Sequence, residues 1–222
     1  MMKIKIQVPT KQSEISLGQY QKYLSLVETN KDDEASENFL ALKMLEVFCH
    51  IPYKDTLSYK YKDVVNVVGI INEVLQTQEE HVQRFNIGKV EFGFIPKLDD
   101  MTFGEFIDLE NSMVSWDTMH KAMAVLYRPI TESFGDRYRI EEYEGDKYAD
   151  IMKEMPLSAA FSSLVFFWNL GRDLQEGIQK YFKREEEKII QQMDNSQESG
   201  DGITQFTKQL KEMLESLNLS LS

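Results

Sequence analysis

The sequence predicts a mainly α-helical fold with a few short strands, arranged as a helical bundle. Apolar residues recur at helical spacing along most of the chain. Capping-box sequences at residues 16–19 (SLGQ) and 102–105 (TFGE) each precede such a stretch. Glycines and prolines break the helical pattern most clearly at residues 85–98. Together these observations place helices in most of the chain and strands in a few segments.

Six helices follow from the apolar spacing of the main part of the chain. They cover residues 16–27, 39–48, 62–76, 102–109, 117–127 and 157–182. The acidic segment 28–37 separates the first two and is expected to be a loop. The last helix carries a long apolar stripe, which we expect at the centre of the core. Its residues are Leu157, Phe161, Leu164, Trp168, Leu174, Ile178, Tyr181 and Phe182.

Short strands are predicted at three places. Residues 2–8 alternate polar and apolar side chains until Pro9. Residues 85–98 form either a hairpin or an irregular loop. Residues 136–143 alternate in type between two glycines, and this strand pairs either with residues 2–8 or with the 85–98 segment.

The C-terminal part of the sequence predicts an amphipathic helix on a flexible linker. A helical domain over residues 1–194 is followed by a small, polar linker at 195–202 and by the helix at 203–219. Six apolar side chains on one face of this helix are predicted to bind a partner or to fold back on the domain. They are Ile203, Phe206, Leu210, Met213, Leu214 and Leu217.

Three pairs of similar segments suggest an internal duplication. The capping boxes at 16–20 and 102–106 correspond, as do residues 43–50 and 121–128, and residues 61–65 and 148–152. We therefore expect residues 16–77 and 102–170 to be two copies of one helical module. A duplicated module favours a binding or structural role over catalysis.

Composition excludes several classes of function. A net charge of −12 argues against nucleic acid as a partner, because binding to phosphates requires clustered Lys and Arg. The longest apolar run, residues 159–168, is too short to span a membrane. Cys49 has no second cysteine to pair with and lies in an apolar segment, so we expect it to be buried.

The sequence contains no motif that indicates catalysis, and we predict no catalytic, cofactor or metal site. The phosphate-binding, dinucleotide-binding, zinc-protease and serine-hydrolase motifs are all missing. His50, His81 and His120 lack metal-ligand spacing. The acidic pairs at 32–33 and 99–100 are interpreted as loop residues near helix starts, and the aromatic run at 166–168 as core packing.

Three segments resemble proteins of tailed bacteriophages, notably structural-module proteins of crAss-like phages. They are residues 93–109 (GFIPKLDDMTFGEFIDL), 119–130 (MHKAMAVLYRPI) and 155–171, with MPL and FFWNLG at its two ends. The resemblance covers roughly residues 85–182. It implies a virion component of the neck, tail or cargo, located in the particle or in the cytoplasm of the infected bacterium.

The expected function is therefore that of a non-enzymatic phage structural or assembly protein. Its expected partners are other phage structural proteins or copies of itself. Two alternatives remain at this stage. One is a tail assembly chaperone that the mature particle lacks, and the other is an acidic protein that binds a host target.

Overall fold

The computed structural model describes residues 7–31 and 36–195, and the fold is mainly α-helical with a small antiparallel sheet, as the sequence predicts. The helices are α1 (Leu17–Thr29), α2 (Ser36–Cys49), α3 (Tyr53–Thr56), α4 (Tyr61–Gln76), α5 (Phe103–Ser112), α6 (Met119–Leu126) and α7 (Leu157–Asn195). The strands are β1 (Arg84–Ile87), β2 (Val90–Phe94), β3 (Tyr127–Phe134) and β4 (Arg137–Ile140). Short 3-10 turns occur at Gln12–Glu14, Leu98–Asp100, Trp116–Thr118, Gly145–Tyr148 and Ile151–Glu154.

Both predicted capping boxes form. The Ser16 hydroxyl accepts a hydrogen bond from the Gln19 backbone N–H at 3.2 Å, and the Gln19 side chain accepts from the Ser16 N–H at 2.8 Å. Thr102 and Glu105 make the same reciprocal pair at 3.3 and 2.7 Å. Backbone N–H groups at a helix start lack acceptors within the helix, so these bonds define where α1 and α5 begin.

The other predicted helices are confirmed with shifted ends. α1 and α2 extend into the predicted loop at 28–37, of which residues 32–35 lie outside the described residues. Of the predicted strand at 2–8, residues 1–6 also lie outside them, and residues 7 and 8 are not in a strand. The long helix continues through the Glu-rich stretch that follows residue 183.

The sheet has the strand order β1-β2-β3-β4, and all three pairs are antiparallel. The hairpin alternative for residues 85–98 is confirmed as β1 and β2, in which Phe85 pairs with Phe92. Gly88 and Gly135 each follow a strand end and have φ values of 60° and 63°. Because other residues rarely adopt this backbone region, the two glycines permit the tight hairpin turns.

Strand β3 was not predicted, since the sequence analysis placed a helix at residues 117–127 and no strand before residue 136. The chain passes directly from α6 at Leu126 into β3 at Tyr127. Pro129 pairs with Phe92 and stands next to an irregularity in the β3–β4 register between Ile130 and Glu132. Bulges are among the few places where a strand tolerates proline. Among the described residues β4 pairs with β3, so the predicted pairing with the 85–98 segment was wrong, while most of the alternative partner, residues 2–8, lies outside those residues.

Two backbone hydrogen bonds join the starts of α1 and α7. The Leu17 N–H donates to the Met155 carbonyl at 2.9 Å, and the Leu157 N–H donates to the Ile15 carbonyl at 2.8 Å. All four residues are at most 1% exposed. The segment before each helix thus supplies an acceptor that the first turn of the other helix lacks.

The contacts divide the chain into two units, and the division falls within α7, after residue 166. In the first unit, Leu157 is fully buried, as predicted. In the second, Trp168 is 76% exposed and Tyr181 is 60% exposed. The prediction that the whole apolar stripe of this helix lies in the core is therefore wrong for these two residues and for Ile178. Helical spacing shows that apolar side chains share one side of a helix, but not whether another segment packs against that side.

The proposed duplication agrees with the structure only in part. The two capping boxes and the two helix ends at residues 49 and 126 correspond. The third pair of segments was predicted to begin a helix in each copy, and this is wrong. Tyr61 begins the long helix α4, whereas residues 148–152 lie in short 3-10 turns. The second segment also contains the β3–β4 hairpin, where the described part of the first has helices. The duplication itself stays a prediction.

Tyr127 connects the sheet to the preceding loop and to α7. It is fully buried, and its hydroxyl donates to the Val82 carbonyl at 2.5 Å and lies 2.9 Å from the Ser163 hydroxyl. The Ser162 hydroxyl accepts from the Val82 N–H at 3.1 Å. Burial raises the pKa of the Tyr127 hydroxyl far above its usual value, so it stays protonated and remains a donor.

Gly93 lets a side chain of β4 lie across the sheet. The Tyr138 ring packs so closely on Gly93 that a Cβ atom there would overlap it. The Tyr138 hydroxyl donates to the Phe94 carbonyl at 2.7 Å, and the Arg84 guanidinium lies 4.4 Å from the ring centroid. These contacts fix β4 relative to β2.

We expect Tyr127→Phe to lower the free energy of unfolding by about 1 to 3 kcal/mol, because it leaves the buried Val82 carbonyl without its donor. Chemical denaturation monitored by circular dichroism measures the change. Tyr20→Phe is the matched control, since the Tyr20 hydroxyl has no hydrogen bond to a described residue and its ring contacts are retained. Equal stability of the two variants would contradict the proposed role of the hydroxyl.

We expect Gly93→Ala to destabilise the protein by about 1 to 3 kcal/mol, because the added methyl group displaces the Tyr138 ring. The control is Gly69→Ala in α4, where a Cβ atom meets nothing within 4 Å. That change should stabilise the helix by roughly 0.5 to 1 kcal/mol. A neutral or stabilising effect of Gly93→Ala in the same denaturation assay would show that Tyr138 is not held as described.

Candidate interaction surfaces

An apolar groove between α2 and α4, here called the α4 groove, is the first candidate site. Its volume is about 470 Å³. Leu57, Tyr61 and Val65 are 63%, 77% and 47% exposed at its surface, while Val64 is buried beneath them. The remaining lining residues are Glu37, Asn38, Ala41, Leu42, Thr56, Tyr59 and Val68. A cluster of exposed apolar side chains around a concave surface is typical of a protein-binding site.

The end of α2 explains how the groove forms. His50 has a φ of 56°, a left-handed conformation that terminates the helix, and the Ile51 N–H then donates to the Leu45 carbonyl at 3.5 Å. The chain reverses through α3, and the Thr56 hydroxyl donates to the Tyr53 carbonyl at 2.6 Å. α4 therefore packs beside α2, with Val64 facing inward.

Charged residues of both signs are exposed where the chain passes from α3 into α4. Lys54, Lys60 and Lys62 are exposed, and no described carboxylate lies within ion-pair distance of them. Lys60 occupies the N-cap position of α4 and offers no side-chain acceptor, so the partial positive charge of the helix start adds to theirs. Glu37 lies on the α2 side of the groove. The lysines alternate with exposed Asp55 and Asp63 in the sequence and are not among the residues that line the groove.

The outer side of α5, here called the α5 face, is the second candidate site. Phe103, Phe106 and Ile107 are 78%, 51% and 38% exposed. Positions three and four residues apart lie on the same side of a helix, so the three side chains form one patch. The opposite side of α5 carries the buried residues Glu105 and Leu109 and packs on α6. Exposed Asp108 and Glu110 make the α5 face acidic.

A buried ion pair fixes the orientation of α5. One guanidinium nitrogen of Arg128 on β3 lies 2.9 Å from a carboxylate oxygen of Glu105, and both side chains are less than 10% exposed. Glu105 also accepts from the Thr102 N–H in the capping box. The Tyr143 hydroxyl donates to Asp108 at 2.6 Å on the neighbouring turn of the helix. Because Glu105 points inward, Phe103, Phe106 and Ile107 point outward.

The predicted partner-binding residues of the C-terminal helix all lie outside the described residues, as does most of the predicted linker. The sequence analysis did not identify the α4 groove or the α5 face, because it treated each apolar stripe as core. One signal was available for α5. Leu109 lies on the same side of this helix as Glu105, and the two phenylalanines lie on another side. Apolar residues on two sides of a helix indicate two contact surfaces.

The three histidines and the cysteine considered in the sequence analysis lie close to other side chains or are buried. His81 stacks on Phe166 with ring centroids 4.9 Å apart, and burial lowers its pKa. His50 and His120 lie 3.4 and 3.1 Å from the Gln19 and Gln21 side-chain amides. Cys49 is buried, as predicted, and burial raises its pKa to about 11. Within residues 7–31 and 36–195, no three potential metal ligands cluster.

No helix among the described residues is both long enough and apolar enough to cross a membrane.

We expect Glu105→Gln to lower the free energy of unfolding by about 3 to 5 kcal/mol, because it leaves the buried charge of Arg128 without a counter-charge. Glutamine keeps the capping box, as Gln19 does in α1. The double variant Glu105→Gln/Arg128→Met is the control, and it should recover much of the lost stability in urea denaturation. A double variant no more stable than the single one would mean that the charge is not the cause.

Comparison with known proteins finds no matching family model, no matching curated protein and no matching solved structure. The function of the chain is therefore inferred from its own surfaces and from the sequence resemblance.

Proposed function

We propose that the protein is a non-enzymatic structural or assembly protein of a bacteriophage, and that it acts through helix-mediated protein–protein contacts. The observation that carries this proposal is the exposure of large apolar side chains on ordered helices of the first unit. Phe103 and Tyr61 are each more than three-quarters exposed, on two different helices. Contiguous apolar surface of this kind marks a site of protein interaction.

Burying the apolar side chains of these surfaces would favour association. Fully burying a Phe, Leu or Val side chain contributes roughly 1.5 to 3 kcal/mol. The α4 groove and the α5 face each expose three large apolar side chains, so covering either surface offsets part of the entropy that association costs. Both surfaces belong to helices packed on a partner helix, α4 on α2 and α5 on α6. They are therefore pre-organised for binding.

The bacteriophage part of the proposal rests on the sequence resemblance of residues 85–182. This region includes α5 and the four-stranded sheet that positions it. The resemblance and the exposed α5 face therefore involve the same part of the chain. An assembly protein would use such a face for contacts with other phage structural proteins or with copies of itself.

Mass spectrometry of purified particles of the phage that encodes this chain should detect the protein at a constant ratio to the major capsid protein. A structural component is built into each particle in a fixed number, so the ratio should survive repeated purification. Infected-cell lysate depleted of particles is the control. Absence from particles, with a tail-protein complex in that lysate, would favour the chaperone alternative. Recovery with host proteins alone would favour the host-directed alternative.

A further inference from the structure

We propose that protonation of His81 releases the segment 77–83, which connects α4 to β1, from its contact with α7. The contact, here called the His81 latch, consists of His81 and Val82 on that segment and of Ser162 and Phe166 on α7. The latch makes this part of the first unit sensitive to pH. It is a property of the single chain and does not depend on the proposed function.

The His81 ring lies against two phenylalanine rings that belong to different elements. Its centroid is 4.9 Å from that of Phe166 on α7, in a stacked arrangement, and 4.6 Å from that of Phe94 on β2, in an edge-to-face arrangement. The two phenylalanine rings are themselves 5.6 Å apart. His81 therefore joins the sheet to α7 through apolar contacts, which suit an uncharged ring.

The two nitrogen atoms of the His81 ring have different surroundings. One makes a hydrogen bond to the Ser162 backbone, and because this bond raises the pKa, the ring donates it and the Ser162 carbonyl accepts. The other, Nδ1, is buried and has no partner among the described residues. In the neutral ring Nδ1 then carries no proton. Protonation places an N–H group there, and a buried donor without an acceptor costs free energy.

Burial has the largest influence on this histidine. It lowers the pKa of His81 below the ordinary value, and the hydrogen bond to Ser162 only partly opposes that shift. Between residues 157 and 166, α7 has no charged side chain. Glu79 and Glu80 precede His81 in the chain. The adjoining cavity is lined by two charged residues of each sign, which are Lys97, Asp99, Asp136 and Arg137.

The ring and the neighbouring backbone are expected to move together. The Val82 N–H, directly after His81, donates to the Ser162 hydroxyl at 3.1 Å. Because the closed latch lowers the pKa of His81, the open form binds a proton more tightly than the closed form. The open fraction therefore grows as the pH falls below about 6.5, the ordinary histidine value, and it stops growing below the pKa of the closed form.

The test uses the full-length chain between about pH 5 and pH 8, the range in which histidine titrates. Nuclear magnetic resonance measures the pKa of His81 from its ring protons. Hydrogen exchange at the Val82 amide, corrected for the intrinsic exchange rate, measures the opening constant of the latch. The Leu157 amide, which donates to the Ile15 carbonyl in the core, is the internal reference.

The variant His81→Phe keeps an aromatic ring at the latch but cannot be protonated. The matched control is His50→Asn/His120→Gln, which removes the other two histidines. Asparagine is chosen for position 50 because it tolerates the left-handed backbone there. In wild type and control, the opening constant at Val82 should rise by at least about threefold from the upper to the lower end of the pH range. In His81→Phe it should stay constant.

Three results would overturn the inference. A pKa of His81 at or above the ordinary value would mean that the phenylalanine rings stabilise the charged ring. An equal rise in His81→Phe would assign the pH response to other groups. A Leu157 amide that loses protection in parallel with Val82 would mean that acid unfolds the whole unit. The first result is obtained from the wild type alone, so it decides the question even if a variant does not fold.

Discussion

The backbone bridge between the starts of α1 and α7 is the contact on which the rest of the first unit depends. Leu17 and Leu157 each donate to a carbonyl of the opposite segment. This bridge joins parts of the chain that are far apart in sequence and gives the buried N–H groups of Leu17 and Leu157 their acceptors. Around it, Tyr20 packs edge-to-face against Trp116 and Phe161, at centroid distances of 4.9 and 5.2 Å. The first and last helices of the unit and the turn before α6 therefore share one core.

The sheet and its neighbouring helices determine which side chains around this core are exposed. β3 continues directly from α6, so the position of α6 determines where Arg128 lies. Arg128 then holds Glu105, which is also the third residue of α5. Leaving a buried charge without its partner costs more free energy than changing the neighbour of an apolar residue. The ion pair therefore determines which side of α5 is exposed, and with it the apolar patch that we propose as a binding surface.

The charge of the protein gives these surfaces selectivity. An overall excess of acidic residues keeps chains apart in solution and lowers non-specific association. Apolar surface alone would bind many partners, whereas the exposed Asp108 and Glu110 on α5 disfavour acidic ones.

The sequence by itself determined the fold class, both capping boxes and the position of most helices, because these depend on interactions between residues close together in the chain. It left residues 85–98 as either a hairpin or an irregular loop, and the pairing of β1 with β2 decided for the hairpin. It did not locate β3, since Pro129 suppresses the local strand signal and only pairing with β2 and β4 stabilises the strand. It also could not separate core from surface along α7 or on α5, because an apolar side chain at helical spacing has the same pattern in both places. Only the tertiary structure decided that Leu157 is buried while Trp168, Phe103 and Tyr61 are exposed, since burial depends on which distant segments pack against each helix.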